Sequence, residues 1–151
     1  MKLQQEKMSD CIDEMIPLLQ DHYSEIARNQ DFVELDPNYD QYQLLDESDM
    51  LHVFTARDGG KLIGYVVTFL VPNLHYKTTN FGLVDILFLK KEYRGRMVGY
   101  KMIKSAEESL KTIGVQVLQV GMKLAHDFGP MLERMGYTEI ERTFEKVLRR
   151  D

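Results

Sequence analysis

The feature that most constrains this chain is a strand, a turn and a helix written in unbroken succession between Leu83 and Thr112. Residues 83–89 are apolar apart from Asp85, short enough for a buried strand, and are followed at once by a charged turn at 90–92. Val98, Met102, Ile103, Ala106 and Leu110 then recur at helical spacing, with Lys101, Lys104, Glu107, Glu108 and Lys111 on the other face. Between the two lies Tyr93-Arg94-Gly95-Arg96-Met97-Val98-Gly99, so the helix starts in a loop of arginine and glycine.

A strand that feeds a helix through such a turn leaves unpaired N–H groups at the helix N-terminus, where the helix dipole also favours negative charge. Gly95 and Gly99 let the backbone approach an anion closely, and Arg94 and Arg96 add positive charge. On these residues alone the turn reads either as a phosphate cradle or as a structural connection.

The whole stretch resembles the cofactor-binding motif of the GNAT N-acetyltransferase superfamily, a strand ending in an apolar-x-apolar pattern followed by a basic residue and spaced glycines. The residues that carry the resemblance are Leu87-Phe88-Leu89 and then Arg94, Gly95, Arg96, Met97, Val98 and Gly99. It implies that the pyrophosphate of acetyl-CoA rests on the amides from Arg94 to Gly99, while the strand end at Phe88 and Leu89 pairs with the pantetheine arm. Met97 departs from the pattern, which has glycine there. The loop then either admits a side chain pointing away from the phosphates or binds the cofactor less tightly.

A chain of 151 residues, 44% of them hydrophobic, suits one domain over residues 1–151 with a sizeable core. The net charge of −5 argues against a general nucleic-acid binder. No apolar run approaches a membrane span, and the opening residues lack the apolar segment of a secretory signal, so the expectation is a soluble, cytoplasmic protein. The lone cysteine, Cys11, rules out an internal disulfide and falls in register with Met8, Met15 and Leu18, as a core residue would.

Residues 8–28 carry a helical stripe interrupted at Pro17, with Ser9 or Asp10 as cap, and a second short helix is expected after Asp36-Pro37 through Tyr39, Tyr42 and Leu45. Strands are expected at 50–55 and 62–71, joined by a hairpin around Gly59-Gly60, and a polar loop at 72–80 leads into the strand at 83–89 as a second hairpin. After Gly114 come a strand at 115–120, a helix at 124–135 divided by Gly129-Pro130, a final strand at 137–148 with Ile140, Phe144, Val147 and Leu148 facing inward, and an exposed tail at 149–151. The fold class is therefore α/β, a mixed and mostly antiparallel sheet flanked by about four helices, and the order matches that of GNAT proteins. Met131 to Tyr137 gives a second, weaker match to the family's C-terminal motif.

Acetyl transfer from a thioester to an amine needs a neutral amine, a held carbonyl and a proton for the departing thiolate. The resemblance places Asp85 where many members carry the acid that removes the amine proton. Burial would raise its pKa and suit it to that role; the alternative is an acid paired for structure. The family's tyrosine acid corresponds to Leu132 and its preceding asparagine to about Ala125, so neither is available here. His126, next to Ala125, is the remaining acid/base or cofactor contact. His75 and Tyr76 are candidates for the substrate mouth. His22 and His52 have no partner in sequence, so no metal site is expected. Seven acids and no base between Asp31 and Asp49 form either a solvated surface or a cleft wall that draws in a cationic amine. The leading reading is an acetyl-CoA-dependent N-acetyltransferase of a small cationic metabolite or a protein amine. The alternative is a degenerate module that keeps the fold and binds CoA or a protein partner. A second copy of the chain as partner stays open.

Overall fold

The computed structural model describes residues 1–149, and its centre is one mixed sheet of five strands in the order β1-β2-β3-β4-β5. These are β1 (Lys2–Glu6), β2 (Leu51–Asp58), β3 (Lys61–Phe69), β4 (Phe81–Leu89) and β5 (Val117–Val120). Successive pairs from β1 to β4 are antiparallel. β5 lies parallel to β4 because α3 (Val98–Thr112) carries the chain back between them. α1 (Met8–Ile26) and α2 (Tyr39–Glu47) cover one face and α3 the other.

Both faces of the central strands are thus buried, which is why β2 and β3 read as nearly continuous apolar runs. Met8, Cys11, Met15 and Leu18 of α1 pack on Val53, Tyr65, Val67 and Phe88. On the other side Val98, Met102 and Ala106 of α3 pack on Phe54, Ile63, Val84 and Leu89. Gly64 permits the close stacking at the centre: a Cβ there would meet Phe88 O at 2.7 Å and Met102 Sδ at 3.2 Å. Gly59 and Gly60, with φ of +54° and +83°, make the β2–β3 hairpin as expected. Cys11 is a core residue, its thiol pushed up to about 12 by burial.

Several expectations are corrected. β1 has one apolar side chain, Leu3, and no strand signature; it exists because its backbone pairs with β2 from Lys2↔Arg57 to Glu6↔Val53. α1 runs unbroken through Pro17, which faces solvent. Its cap is neither Ser9 nor Asp10. The buried carboxylate of Asp46, at the end of α2, accepts the Met8 N–H at 2.8 Å. α2 starts after Asn38, whose side chain accepts from Gln41 N at 3.0 Å, not at Pro37. The helix expected at 124–135 is divided at Gly129-Pro130 as anticipated, although its first part is only a 3-10 turn, Leu124–His126, before the short helix α4 (Gly129–Arg134).

The final strand expected at 137–148 is absent. That segment has no regular structure, and Ile140, Phe144 and Leu148 are 68%, 92% and 87% exposed. Its apolar residues Tyr137, Ile140, Phe144, Val147 and Leu148 stand three, four, three and one apart, so it lacks the strict period-two alternation that holds a strand in register. Of the tail, Arg149 is exposed, and Arg150 and Asp151 lie outside the described residues. No helix among the described residues is long and apolar enough to cross a membrane.

Candidate active site

β4 is the element that builds the site. It pairs with β3 along most of its length but with β5 only from Phe81↔Val117 to Val84↔Val120. β5 ends at Val120, so beyond Val84 the edge of β4 has no strand partner. The Lys90 N–H donates to Ile63 O on β3 at 2.9 Å. Because successive residues of a strand alternate their hydrogen-bonding direction, the groups of Leu89 and Leu87 face the gap that β5 vacates. A bulge marks the start of this unpaired edge: Thr68 faces Val84 and Val67 faces Ile86, so Asp85 is the extra residue. The bulge also shifts the phase of the strand, which puts Val84, Leu87 and Leu89 all on the α3 side.

The loop that follows is open at the backbone. Gly95 has φ of +78° and empty space where a Cβ would stand, and a Cβ on Gly99 would meet only Leu89 Cδ2 at 3.8 Å. The first backbone acceptor at the start of α3 is Met97 O, taken by Lys101 N at 3.0 Å, so the amides of Val98, Gly99 and Tyr100 have no acceptor within the helix. Met97, the departure from the glycine pattern, adopts φ of +62° and is 59% exposed. It takes the backbone conformation a glycine would supply and turns its side chain to water. Arg96 is exposed and available to an anion.

Arg94 is placed differently from expectation. Its amide is occupied by Lys91 O at 3.1 Å, so the cradle of free amides begins after it. Its guanidinium turns inward, with Nε on Leu89 O at 2.7 Å, Nη2 on Glu25 at 2.9 and 3.3 Å, and the group lying 5.7 Å from the centre of the Phe88 ring. Of the strand-end groups facing the gap, Leu87 N–H and C=O and Leu89 N–H remain.

Asp85 sits on the opposite face, exposed, so the burial expected for it is not what the fold provides. The bulge turns its carboxylate toward α2, where Oδ2 accepts from Tyr42 Oη at 2.5 Å. The Tyr42 phenol is pushed up by its own burial and then by this carboxylate, so it stays a proton donor at neutral pH. Oδ1 of Asp85 is left for another donor. Tyr42 in turn stacks on Phe69, with centroids 6.3 Å apart. In the sequence Tyr42 is marked only by its place in a short helix. Six of the seven acids between Asp31 and Asp49 are exposed around this helix; the seventh is Asp46, spent on capping α1.

His126, half-buried, ends the 3-10 turn that packs against α1. Its neighbour there is His22, which has no partner nearby in sequence. His22 is buried against Phe88, 5.2 Å between ring centres, and its imidazole is pushed down to about 4, by burial first, with Glu25 opposing and Arg94 and His126 adding. It is therefore neutral at physiological pH. Asp127 serves the backbone of α4, accepting from Gly129 N at 2.8 Å. Leu132 is buried in the core and Tyr137 donates to Glu107 of α3 at 2.8 Å, so neither offers a proton to the gap.

His75 and Tyr76 lie at the wrong end of β4 for the cofactor loop. Tyr76 stacks on Phe81 at the strand's start, 5.5 Å between centroids. At about 3.3 Å per residue the strand separates them from Leu89 by roughly 25 Å. The cleft of about 520 Å³ at that end, bounded by Lys7, Leu51, Tyr76, Phe81 and Ile113, is thus remote from the loop. Among the described residues no group of three or more His, Cys, Asp or Glu is placed to hold a metal ion.

Comparison with known proteins bears on the fold and the family. A curated relative, N-alpha-acetyltransferase 30 of Schizosaccharomyces pombe, is 26% identical over 96 residues, which are 63% of this chain and 63% of the relative. Among solved structures, a ribosomal-protein-alanine N-acetyltransferase from Brucella melitensis biovar Abortus 2308 superposes with a TM-score of 0.70 at 17% identity, covering 99% of each chain. An aminoglycoside acetyltransferase from an uncultured soil metagenomic sample gives 0.74 at 16% identity, over 98% of this chain and 96% of that one. An aminoglycoside N-acetyltransferase in complex with CoA gives 0.70 at 13% identity, over 98% and 99%. These likenesses show the fold. The acetyltransferase (GNAT) family as a whole matches residues 13–137, most of the chain, and this protein belongs to that family.

Proposed function

We propose that this protein is an acetyl-CoA-dependent N-acetyltransferase whose acceptor is a primary amine, and that the described chain acts as a single acetyltransferase domain. The observation that carries the reading is the unpaired edge of β4 beyond Val84, where β5 ends, leading to the open N-terminus of α3, with an acid at the bulge where that edge begins. The chain's own groups fit the cofactor. The amides from Gly95 to Gly99, with Arg96, would hold the pyrophosphate, and Leu87 and the Leu89 N–H would pair with the pantetheine arm. Phe88 and Val98 belong to the same strand end and helix start, set in the core behind those groups. Bound there, acetyl-CoA would supply the activated acyl group.

On the α2 side, Asp85 would take the proton of the acceptor ammonium, directly or through one water, at its free Oδ1 while Tyr42 holds Oδ2. The exposed acids between Asp31 and Asp49 would raise the local concentration of a cationic amine. His126, on the turn after β5 that contacts α1, would be the donor toward a departing group. Both Asp85 and His126 thus keep a role as proposed catalytic residues. Met97 does not favour the degenerate module, since its left-handed backbone preserves the loop a glycine would form. Calorimetric titration with acetyl-CoA, followed by thiol release over a panel of small polyamines and peptide N-termini, tests the proposal. Micromolar binding with release on at least one amine is expected; no heat and no thermal shift at millimolar acetyl-CoA would overturn it.

A further inference from the structure

We infer that Arg94 is a positioning residue, a strut that ties the end of β4 to α1 and fixes which strand-edge groups face the cofactor, and not a ligand of its phosphates. The inference rests on the acetyl-CoA reading above. One guanidinium makes three contacts at once: Nε caps Leu89 O at 2.7 Å, Nη2 pairs with Glu25 at 2.9 Å, and its plane lies near the Phe88 ring. The arginine side chain is 25% exposed and that of Glu25 15%, so the pair is largely withdrawn from solvent and from its screening. Lys91 reaches Glu25 only at 3.9 Å and is 73% exposed, too loosely held to take over.

The consequence follows from the edge that β5 leaves bare. An unpaired strand end with free N–H and C=O groups is adaptable; it can fray or pair in more than one register. By occupying Leu89 O, Arg94 removes one acceptor and leaves a fixed pattern of Leu87 N–H, Leu87 C=O and Leu89 N–H. By holding Glu25 it locks that pattern to α1, which also carries His22 against Phe88 and contacts the turn that ends in His126. The planar fork is needed for this. A lysine ammonium could keep Glu25 but could not place a second donor on Leu89 O with the same geometry.

The test compares acetyl-CoA with ADP, which carries a pyrophosphate but no pantetheine arm. Calorimetric affinities are measured for the parent, Arg94→Met, Arg94→Lys and Glu25→Gln, each beside a melting curve. Glu25→Gln cannot touch a phosphate and keeps the shape of the pair, so it serves if Arg94→Met fails to fold. A strut predicts that Glu25→Gln and both arginine variants weaken acetyl-CoA by about tenfold or more while ADP affinity stays within twofold, with Lys a partial rescue of Met. If the arginine variants weaken ADP as much as acetyl-CoA and Glu25→Gln weakens neither, Arg94 is a phosphate ligand and the inference falls. If only the melting temperatures drop and all affinities hold, the contacts are merely structural and it falls again. A parent that binds no acetyl-CoA refutes the underlying function instead.

Discussion

Asp46 comes from the most acidic stretch of the chain, yet the structure gives it a purely mechanical task that can be measured. Its buried carboxylate accepts the N–H of Met8, a residue only 3% exposed, and so completes the start of α1 from 38 residues away. Asp46→Ala removes a cap, which costs about 0.5–2 kcal/mol where the cap is local. It also strands a buried N–H that water cannot reach, at about 1–3 kcal/mol. The two figures describe one hydrogen bond seen from either end and do not add in full, so about 2–3 kcal/mol is expected. Lys7 contributes little, being 57% exposed and 3.9 Å away. For a domain of this size the loss corresponds to a melting temperature lower by about 5–10 °C. Asp46→Asn keeps an acceptor and loses only the charge beside the helix dipole, about 0.3–1 kcal/mol. Urea unfolding should show the midpoint of Asp46→Ala falling at constant slope and Asp46→Asn close to the parent. Equal stability of Asp46→Ala and parent, or equal damage by both variants, would refute the capping account.

Three further outcomes are expected. Pro17→Ala should stabilise the protein by about 1–2 kcal/mol in the same urea assay, because the proline is exposed, breaks a backbone bond of α1, and is only partly offset by the freedom the unfolded chain regains. Gly64→Ala should cost about 1–3 kcal/mol, since its Cβ would press on the Phe88 backbone, and a neutral result would mean that the sheet relaxes freely there. Burial of Glu6 opposes its ionisation, but hydrogen bonds from Arg57 and Thr55 prevail and hold its carboxyl below the ordinary value of 4.5. A group with a depressed folded pKa gives stability that is present above the unfolded value and lost as pH falls through the folded one, so stability should decline below about pH 4.5 and Glu6→Gln should flatten that decline.

Most of the fold was legible because the informative segments carry strong patterns. α3 announces itself by a five-residue stripe, and the β2–β3 hairpin by Gly59-Gly60. What was not legible depends on partners far away in sequence. β1 is polar and forms only because β2 offers an edge, and the cap of α1 is a carboxylate supplied by α2. The expected last strand failed for the converse reason, apolar residues without the alternation that fixes a register.

The site divides in the same way. The glycines and the helix start are written in consecutive residues, and the loop conformation follows from them. Arg94 could be read only as positive charge, since nothing in its neighbourhood of sequence points to Glu25, 69 residues earlier. Asp85 is visible as a lone acid in an apolar strand, but its exposure stems from a bulge that the apolar pattern conceals, and Tyr42 is marked only by its place in a short helix. His22 and His126 come together only when the turn after β5 docks on α1.

The central claim, that Asp85 is the proton acceptor of an acetyl transfer, is tested most directly by Asp85→Asn. Once an acceptor amine has been found, turnover of parent and variant is followed across pH beside their acetyl-CoA affinities and melting curves. The account predicts unchanged cofactor affinity, a turnover lower by about 10² to 10⁴, and loss of the acid limb of the parent's rate profile. An Asn variant that keeps full activity, or that loses stability and activity together with the limb intact, would contradict it.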